Sequence, residues 1–495
     1  MNQPAPPGAL SRAQIRTIMI GVVLAMLLGA LDQTIVATAL PTIGREVNDL
    51  HNLSWVVSAY LLSSTAVTPL YGKLSDVHGR RRMLLLAILV FLGGSIACAL
   101  ASNIFVLIAA RAVQGLGGGG LISLGQTVIG DVVAPRERGR YQAYFAAVFA
   151  TSAIAGPILG GFFAEHLHWS VIFWINLPLG AAAYLMTNRV LKLLPRHDRP
   201  HRIDVAGALA MVAATVALLL VLTWGGVRYP WGSAPILALA AVSLTAWVLF
   251  GLRLVNAPEP FIPLAVLGDA VVRDAAVTSF FAVGAMIGLT VFLPIYFEAV
   301  LDLTASQSGL ALIAMMGGTV VGGNTAGRLM ARTERYKRTA VVGLAAGSAA
   351  MAVLAVWPTT FSLAGVAVLL AITGFGIGTN FPVTTTSVQN AVAPHQMGTV
   401  TGVLNFFRSL GGAILVAAFG AIFLASVPGG NHVSIQELVL EGVAQGSDFT
   451  PVFRGVFAAA SVTILLAFAG MAAMEERPLR SHDLPAGPPS GVAAP

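Results

Sequence analysis

The stretch that decides the fold reads Gly72-Lys73-Leu74-Ser75-Asp76-Val77-His78-Gly79-Arg80-Arg81-Arg82 and connects two long apolar segments. Similar apolar segments recur along the chain, and each has about 20 residues, enough to cross a bilayer as a helix. We place helices near 17–40, 54–72, 83–101, 104–126, 140–163, 170–190, 204–224, 234–253, 274–299, 307–329, 339–357, 360–382, 398–425 and 453–474. The pattern predicts an all-α integral membrane protein with about 14 transmembrane helices.

Composition excludes a soluble protein. The chain is 56% hydrophobic and only 10% charged, whereas a soluble domain carries roughly 25% charged residues because its surface faces water. The net charge of +7 does not indicate a nucleic-acid partner, because most Lys and Arg residues lie in alternate loops and in the two tails. This asymmetry follows the positive-inside rule and predicts that both termini are cytoplasmic.

The charged stretch resembles the signature loop of the major facilitator superfamily, which has a Gly, an Asp four residues on, and then Gly-Arg-Arg. Further motifs are similar to those of its fourteen-helix drug:proton antiporters. They are Leu31-Asp32-Gln33-Thr34-Ile35-Val36-Ala37-Thr38-Ala39-Leu40-Pro41 in the first helix, Arg111-Ala112-Val113-Gln114-Gly115-Leu116-Gly117 in the fourth, Gly156-Pro157-Ile158-Leu159-Gly160-Gly161 in the fifth and Gly402-x-x-Asn405-x-x-Arg408 late in the chain. The resemblance covers nearly the whole sequence.

The resemblance implies a major facilitator fold of two six-helix bundles plus two inserted helices. We expect a cytoplasmic tail at 1–16, one bundle at 17–190, a basic linker with the inserted helix pair and a surface loop at 191–273, the second bundle at 274–474 and a disordered cytoplasmic tail at 475–495. Gly72-Lys73-Leu74 and Gly327-Arg328-Leu329 stand at matching places in the two halves. This weak internal repeat fits a transporter built from structural repeats.

Asp32 and Arg111 are the candidate proton-coupling residues. Ionisable groups at membrane depth are costly and are functional by default. Both residues lie about eight residues from the outer ends of their helices, so they reach a similar depth, roughly 12 Å in. A carboxylate whose proton affinity depends on one arginine is a workable proton switch. The alternative is a static buried ion pair. Gln114 lies one turn from Arg111 and is placed to orient it.

A second predicted site is a conformational latch at the inner face, formed by Gly72, Asp76, Gly79, Arg80 and Arg81. Gly72 permits close helix approach, and Asp76 can cap a helix N-terminus or pair with a cation. The plain alternative is a basic loop anchored by its arginines. In the second half Ala331 replaces the acid, so we expect the inner-face pairing to be asymmetric.

The remaining candidates are small residues and isolated charges. Residues of the fifth-helix antiporter motif permit close helix packing, and the resemblance implies that this helix seals the cavity against a neighbour in the second half. These residues are Gly156, Pro157, Gly160 and Gly161. Glu298 is a candidate second proton site or substrate counter-charge, or an acid that reaches the outer water, and Gln114 is a candidate substrate contact. Arg408 is expected near the inner surface as an anchor.

These observations predict a proton-coupled antiporter that exports amphipathic, hydrophobic and often cationic drugs by alternating access, and not an enzyme. Lipid, siderophore or metabolite export on the same fold is the alternative, and a membrane sensor or scaffold is a remote one. The proton is the coupling ion, and no cofactor or metal is expected. Expected partners are membrane lipid and small amphipathic substrates, and a periplasmic adaptor protein is left open. The expected location is the inner membrane of a bacterium.

Overall fold

The computed structural model describes residues 12–47, 49, 52–193, 204–226, 228–333, 335–426 and 448–479. Within these ranges every named element of secondary structure is helical. In chain order the α-helices are α1 (Arg12–Glu46), α2 (Ser54–His78), α3 (Arg80–Ala99), α4 (Ile104–Val132), α5 (Pro135–His166), α6 (Val171–Trp174), α7 (Asn176–Val190), α8 (Val205–Trp224), α9 (Ala234–Asn256), α10 (Leu264–Gly268), α11 (Ala270–Ala299), α12 (Ala305–Met330), α13 (Lys337–Val356), α14 (Leu363–Ala391), α15 (Met397–Ser426) and α16 (Thr450–Ala473).

The described part of the chain contains 13 helical spans that are long and apolar enough to cross a membrane, and α6 and α7 together form one of them. Helix α2 is not among these spans, yet its 25 residues give a length of roughly 37 Å, more than the hydrocarbon thickness of a bilayer. Several Ser and Thr residues lower the hydropathy of α2. The predicted all-α membrane fold of about 14 transmembrane helices is confirmed.

The long helices form two bundles. In the first, α1 packs against α5 and α7, while α4 packs against α2 and α3. In the second, α11 packs against α15 and α16, while α14 packs against α12 and α13. The core of the second bundle contains a cluster of buried aromatic rings, namely Phe292, Tyr296, Phe423, Phe453 and Phe457. Each bundle therefore has its own apolar core.

The two bundles meet mainly along two helix pairs, α2 with α15 and α5 with α12, and to a smaller extent where α4 meets α15 and α5 meets α14. Glycines permit the close approach of both main pairs. A Cβ at Gly72 would collide with the backbone of Gly398, and a Cβ at Gly139 would lie 2.9 Å from the carbonyl oxygen of Gly327. We call this end of the molecule, which carries the basic connections 79–82, 134–140 and 331–338, the basic end, and the other the opposite end. Gly72 and Gly327 open the two copies of the internal repeat, so both copies lie where the bundles touch.

The inserted helices α8 and α9 form a hairpin that packs on α2 and α15. Asp204, at the start of α8, is joined to Arg253 of α9 by a 2.7 Å ion pair. Burial disfavours the charge of Asp204, but hydrogen bonds from Arg253 and from the Gly207 N–H favour it, and the net effect lowers the pKa of this carboxyl. The rings of Trp55 and Trp224 meet edge to face with centroids 5.4 Å apart, which fixes the hairpin to α2.

The C-terminal segment differs in part from the expected disordered tail at 475–495. Residues up to Leu479 are described, and they cross the basic end of the second bundle. Tyr336 donates a hydrogen bond to the carbonyl oxygen of Arg477 at 3.0 Å, and the Arg477 guanidinium pairs with Asp269 at 2.8 Å. Hydrogen bonds to α13 and to the start of α11 therefore hold the first residues of this tail. Residues 480–495 lie outside the described part of the chain.

Candidate functional site

Asp32 lies at the centre of the first bundle and is fully buried, with 0% exposure. Its Oδ2 atom accepts a hydrogen bond from Nη1 of Arg111 at 2.6 Å. Its Oδ1 atom accepts bonds from Nε2 of Gln114 at 2.8 Å and from Nδ2 of Asn176 at 3.0 Å. Helices α1, α4 and α7 therefore converge on one carboxylate. All three partners act as donors, which suits an ionised carboxylate because it can only accept.

Arg111 is almost fully buried as well, with 1% exposure. Besides Asp32, its Nη1 atom donates to Oε1 of Gln114 at 2.6 Å, and its Nε atom donates to the carbonyl oxygen of Val56 at 3.0 Å. The guanidinium carbon lies 4.4 Å from the centre of the Tyr60 ring, a cation–π distance. A buried charge is tolerated when it is paired and hydrogen-bonded. The Asp32–Arg111 pair meets this condition in the closed core of the bundle.

The sequence placed Asp32, Arg111 and Gln114 at one depth, and the structure brings these three side chains into contact. Two further members of the cluster were missed. Ser95 of α3 accepts hydrogen bonds from Gln114 at 2.7 Å and from Asn176 at 3.0 Å. Asn176 follows the break between α6 and α7, which turns its amide toward α1. An Asn inside an apolar segment was the signal available, but the segment alone does not show which way the residue faces.

Asp76 joins the two bundles at the basic end. Its Oδ1 atom accepts the backbone N–H of Gly398 at 2.9 Å, and its Oδ2 atom accepts both the N–H and the hydroxyl of Thr399 at 2.6 Å. Gly398 and Thr399 are the second and third residues of α15. A carboxylate at this place satisfies unpaired N–H groups and interacts favourably with the helix dipole. The first bundle thus caps a helix of the second.

Arg80 holds the capping carboxylate in place. Its Nη1 atom pairs with Asp76 at 2.5 Å and its Nε atom pairs with Asp131 of α4 at 2.8 Å. Gly79 adopts a φ of 87°, which lets the chain turn sharply between α2 and α3 where a side chain would be strained. Arg81 differs from the prediction of a latch residue, because it donates to Asn188 of α7 within the first bundle. Its basic side chain points away from the contact between the bundles.

Comparison with known proteins identifies the family. The family model of the Major Facilitator Superfamily matches residues 22–416, a range that includes the buried cluster, the predicted latch residues and most of α15. This chain belongs to the major facilitator superfamily.

Individual relatives agree with this membership. An uncharacterised MFS-type transporter of Mycobacterium tuberculosis (strain CDC 1551 / Oshkosh) is 36% identical over 418 residues, which cover 84% of this chain but only 60% of that protein's length. Multidrug resistance protein 3 of Bacillus subtilis (strain 168) is 32% identical over 411 residues, 83% of this chain and 80% of that protein. The crystal structure of the human organic anion transporter MFSD10 has a TM-score of 0.64 at 18% identity and covers 94% of this chain and 100% of that one. At that identity the structural likeness shows the fold alone.

The glycines of the superfamily's fifth-helix antiporter motif pack within the first bundle. A Cβ at Gly156 would lie 2.6 Å from Cβ of Thr34, and a Cβ at Gly160 would lie 2.5 Å from the carbonyl oxygen of Ile35. These nearest contacts are with α1. Helix α5 as a whole also packs against α12 and α14 of the second bundle, so the expected second-half neighbour is present, but the motif glycines themselves pack on the first bundle. Gly161 has no neighbour within 4 Å of an added Cβ. It faces away because successive helical residues are turned by about 100°.

The structure places Glu298 at a helix end, which is one of the alternatives expected from the sequence, and places Arg408 away from the surface position that was expected. Glu298 is exposed and is the second-last residue of α11, at the opposite end, so it reaches the aqueous boundary. Arg408 does not begin its helix. It lies roughly 16 Å along the axis from Met397, and it is 5% exposed. Arg408 is therefore a buried charge at membrane depth and not an anchor at the surface.

Proposed function

We propose that this protein is a proton-coupled antiporter that exports amphipathic, hydrophobic compounds by alternating access. The observation that carries the proposal is Asp32, a fully buried carboxylate held by Arg111 in the core of a transporter fold. Protonation of Asp32 would remove the charge that Arg111 neutralises. Arg111 would then lose its one charged partner and keep neutral contacts such as the carbonyl oxygen of Val56 and the amide oxygen of Gln114, so the two protonation states favour different arrangements of α1 and α4.

The contacts between the bundles support alternating access. Among the described residues, every hydrogen bond that crosses between the bundles lies in the half of the molecule nearer the basic end. If that end faces the cytoplasm, as the positive-inside rule predicts, the structure corresponds to a state closed toward the cytoplasm. Release of Asp76 from the start of α15 would be part of opening that side, and Asp32 would exchange its proton in a more open state.

The proposed cargo follows from the names of the relatives and from the charges within the described spans. The names of relatives such as the Bacillus subtilis multidrug resistance protein support efflux of varied compounds. The inner membrane of a bacterium is the location proposed for this protein. An ionic site for cations requires a free acid near the centre of the membrane. In the described spans Asp32 is the only carboxylate in the middle of a helix, and Arg111 already neutralises it. The proposal is therefore export of amphiphiles without a requirement for positive charge.

The test is transport by the purified full-length protein in proteoliposomes with an imposed pH gradient. Hoechst 33342 or ethidium should accumulate on the acidic side, and a protonophore should abolish the accumulation. Transport that persists unchanged after the gradient is collapsed would contradict proton coupling. Competition by a lipid, siderophore or metabolite, without any competition among dyes, would favour the alternative cargo on the same fold.

A further inference from the structure

Arg408 is a buried charge at membrane depth that the proposed proton chemistry does not use. Its side chain lies between α14 and α15 and is 5% exposed. Nη2 donates to the hydroxyls of Thr384 at 3.0 Å and Thr385 at 2.9 Å, and Nη1 donates to the amide oxygen of Asn405 at 3.2 Å. These acceptors are all neutral. Arg408 is therefore a cation whose charge the surrounding protein does not balance.

The ion pairs of the described residues do not include Arg408. Its Nε–H group is buried and has no acceptor. The guanidinium carbon lies 5.2 Å from the centre of the Phe381 ring. Ser279 of α11, the next helix in contact, bonds to Thr384 and is also neutral. A buried charge is normally paired or hydrogen-bonded on all sides, so a spare donor on a buried guanidinium calls for an anion.

Asn380 adds a second unsatisfied group one helical turn from Thr384, whose hydroxyl binds this guanidinium. It is 0% exposed, and neither its amide nitrogen nor its amide oxygen has a hydrogen-bond partner. It precedes Phe381 and lies one helical turn from Thr384, on the same face of α14. An unsatisfied buried amide costs stability. The surroundings of Arg408 therefore offer two kinds of unused N–H donor, both at membrane depth.

The location at the contact between the bundles gives a ligand a route to these donors. Asn405, the neighbour that accepts from Arg408, donates to the side chain of Gln126 in the other bundle at 2.7 Å. Gln389 of α14 also donates to the backbone carbonyl oxygen of Gln126 at 3.2 Å. Opening of the basic end in alternating access would break these contacts. The region around Arg408 would then face the side from which an exporter collects its cargo.

We propose that Arg408 and Asn380 form a subsite for the carboxylate group of an amphipathic organic anion or zwitterion carried by this transporter. The guanidinium supplies charge and a free N–H, and the amide of Asn380 supplies a second donor. Arg recognises carboxylates well because its donors are held in a planar fork. The apolar part of the ligand would lie against the aromatic and aliphatic side chains that flank the site, such as Phe381. The inference rests on the proposed function as an exporter.

The test compares two ligands that differ only in charge. Dansylaminoundecanoic acid and its carboxamide are titrated into the full-length protein in lipid nanodiscs, without any gradient. The change Arg408→Gln should weaken binding of the acid by about 10-fold or more, the value of a charge-assisted hydrogen bond to a buried group. Affinity for the carboxamide should change by less than about twofold. The matched control is Arg332→Gln, an exposed guanidinium of the same bundle, which should leave both affinities unchanged.

Asn380→Leu provides a second variant that does not depend on removing a charge. The amide makes no hydrogen bond in this state, so its replacement by an apolar group of similar shape should leave the melting temperature unchanged or raise it. Binding of the acid should nevertheless weaken about fivefold, as expected for a lost hydrogen bond. Equal loss of acid and carboxamide binding in both variants would show a purely structural role and overturn the subsite. Unchanged acid binding by folded Asn380→Leu and Arg408→Gln would overturn it as well.

Failure of the subsite is distinguishable from failure of the proposed function. Binding is measured at equilibrium and does not need proton coupling, whereas the function is tested by transport driven by a pH gradient. Normal pH-driven dye export together with Arg408-independent binding would reject the subsite alone. Charge-selective binding that depends on Arg408, in a protein whose transport ignores the pH gradient, would retain the subsite and reject the antiporter.

Discussion

The two bundles share one architecture but differ in where they place acids. In the first bundle Asp32 is buried in mid-helix and Asp76 lies at the contact with the second bundle. In the second bundle Ala331 stands where the repeat would require the counterpart of Asp76, and the charge at membrane depth is Arg408. The buried mid-helix carboxylate and the capping carboxylate thus lie in one half of the molecule, while the other half meets the first with helix N–H groups and carries a guanidinium at membrane depth.

This difference suggests that the two bundles have different functions, proton coupling in the first and recognition of a ligand in the second. A carboxylate can carry a proton, so the first bundle has the groups needed for coupling and for sensing the position of its partner. The second bundle presents donors, which suits capping by Asp76 and recognition of a ligand oxygen. The expected asymmetric pairing at the basic end agrees with this geometry, since the α2–α15 contact has a carboxylate and the α5–α12 contact is made by Gly139 and Gly327.

The largest effect is expected from Asp32→Asn, which fixes the neutral state of the proposed proton carrier. One proton that crosses 100 mV contributes roughly 2.3 kcal/mol, so loss of its coupling should lower the attainable concentration ratio of substrate about 50-fold. The measurement is dye accumulation in proteoliposomes under an imposed pH gradient and membrane potential. Binding of the dye should survive, because the amide keeps the volume of the side chain.

The matched control for Asp32→Asn is Asp302→Asn. Asp302 is exposed and has a φ of 54°, which Asn also tolerates, so transport should be normal. A static ion pair predicts a different pattern: Asp32→Asn would lower the melting temperature, and a neutral replacement at Arg111 would restore transport. Full pH-driven accumulation by Asp32→Asn, or such a rescue, would remove the proton-carrier assignment.

The next largest effect is expected from Asp76→Asn, which weakens the bond between the bundles. Replacing charge-assisted hydrogen bonds by neutral ones should cost the closed state about 1–2 kcal/mol, a shift of about 10-fold in the conformational equilibrium. Spin labels attached after Arg82→Cys and Arg332→Cys, two exposed positions at the basic ends of the two bundles, would report a longer distance. An unchanged distance distribution together with normal transport would contradict the latch. Asp302→Asn again serves as the control.

A smaller effect, on stability, is expected from Gly156→Ala. The added Cβ would lie 2.6 Å from Cβ of Thr34 and 3.1 Å from the backbone nitrogen of Ile35, beside the turn of α1 that carries Asp32. Such overpacking costs about 1–3 kcal/mol, so the melting temperature should fall. Gly161→Ala is the matched control, since it meets nothing and should gain up to about 1 kcal/mol from helix propensity. Equal melting temperatures for the two variants would show that α5 does not pack closely on α1.

Part of the candidate site could be predicted from the sequence, and part could not. Asp32 and Arg111 were predictable as neighbours because counting from helix ends gives depth, and an isolated acid and base at one depth in a membrane attract. Asn176 was not predictable as the third partner, since its direction depends on the break between α6 and α7. Gly156 and Gly161 are both glycines of one motif, yet Gly156 packs on α1 and Gly161 has no close neighbour. The difference depends on the rotation of α5 about its axis, which the sequence does not give. Arg408 was misplaced at the inner surface although the predicted helix at 398–425 begins within one residue of α15, because its distance from the start of that helix was not converted into depth.

The smallest effect is expected from Glu298→Gln, which tests whether the second bundle carries a proton as well. Glu298 lies at the end of α11, exposed at the opposite end, where a carboxylate remains hydrated in both states of the cycle. A group that carries a coupled proton must differ in environment between those states, and a hydrated acid does not. The ratio of protons to substrate, measured by titrating the pH gradient against the substrate gradient at equilibrium, should therefore be the same in Glu298→Gln and in the unmodified protein. A lower ratio would place a second proton site in the second bundle. It would contradict the proposal that only the first bundle carries the coupled proton.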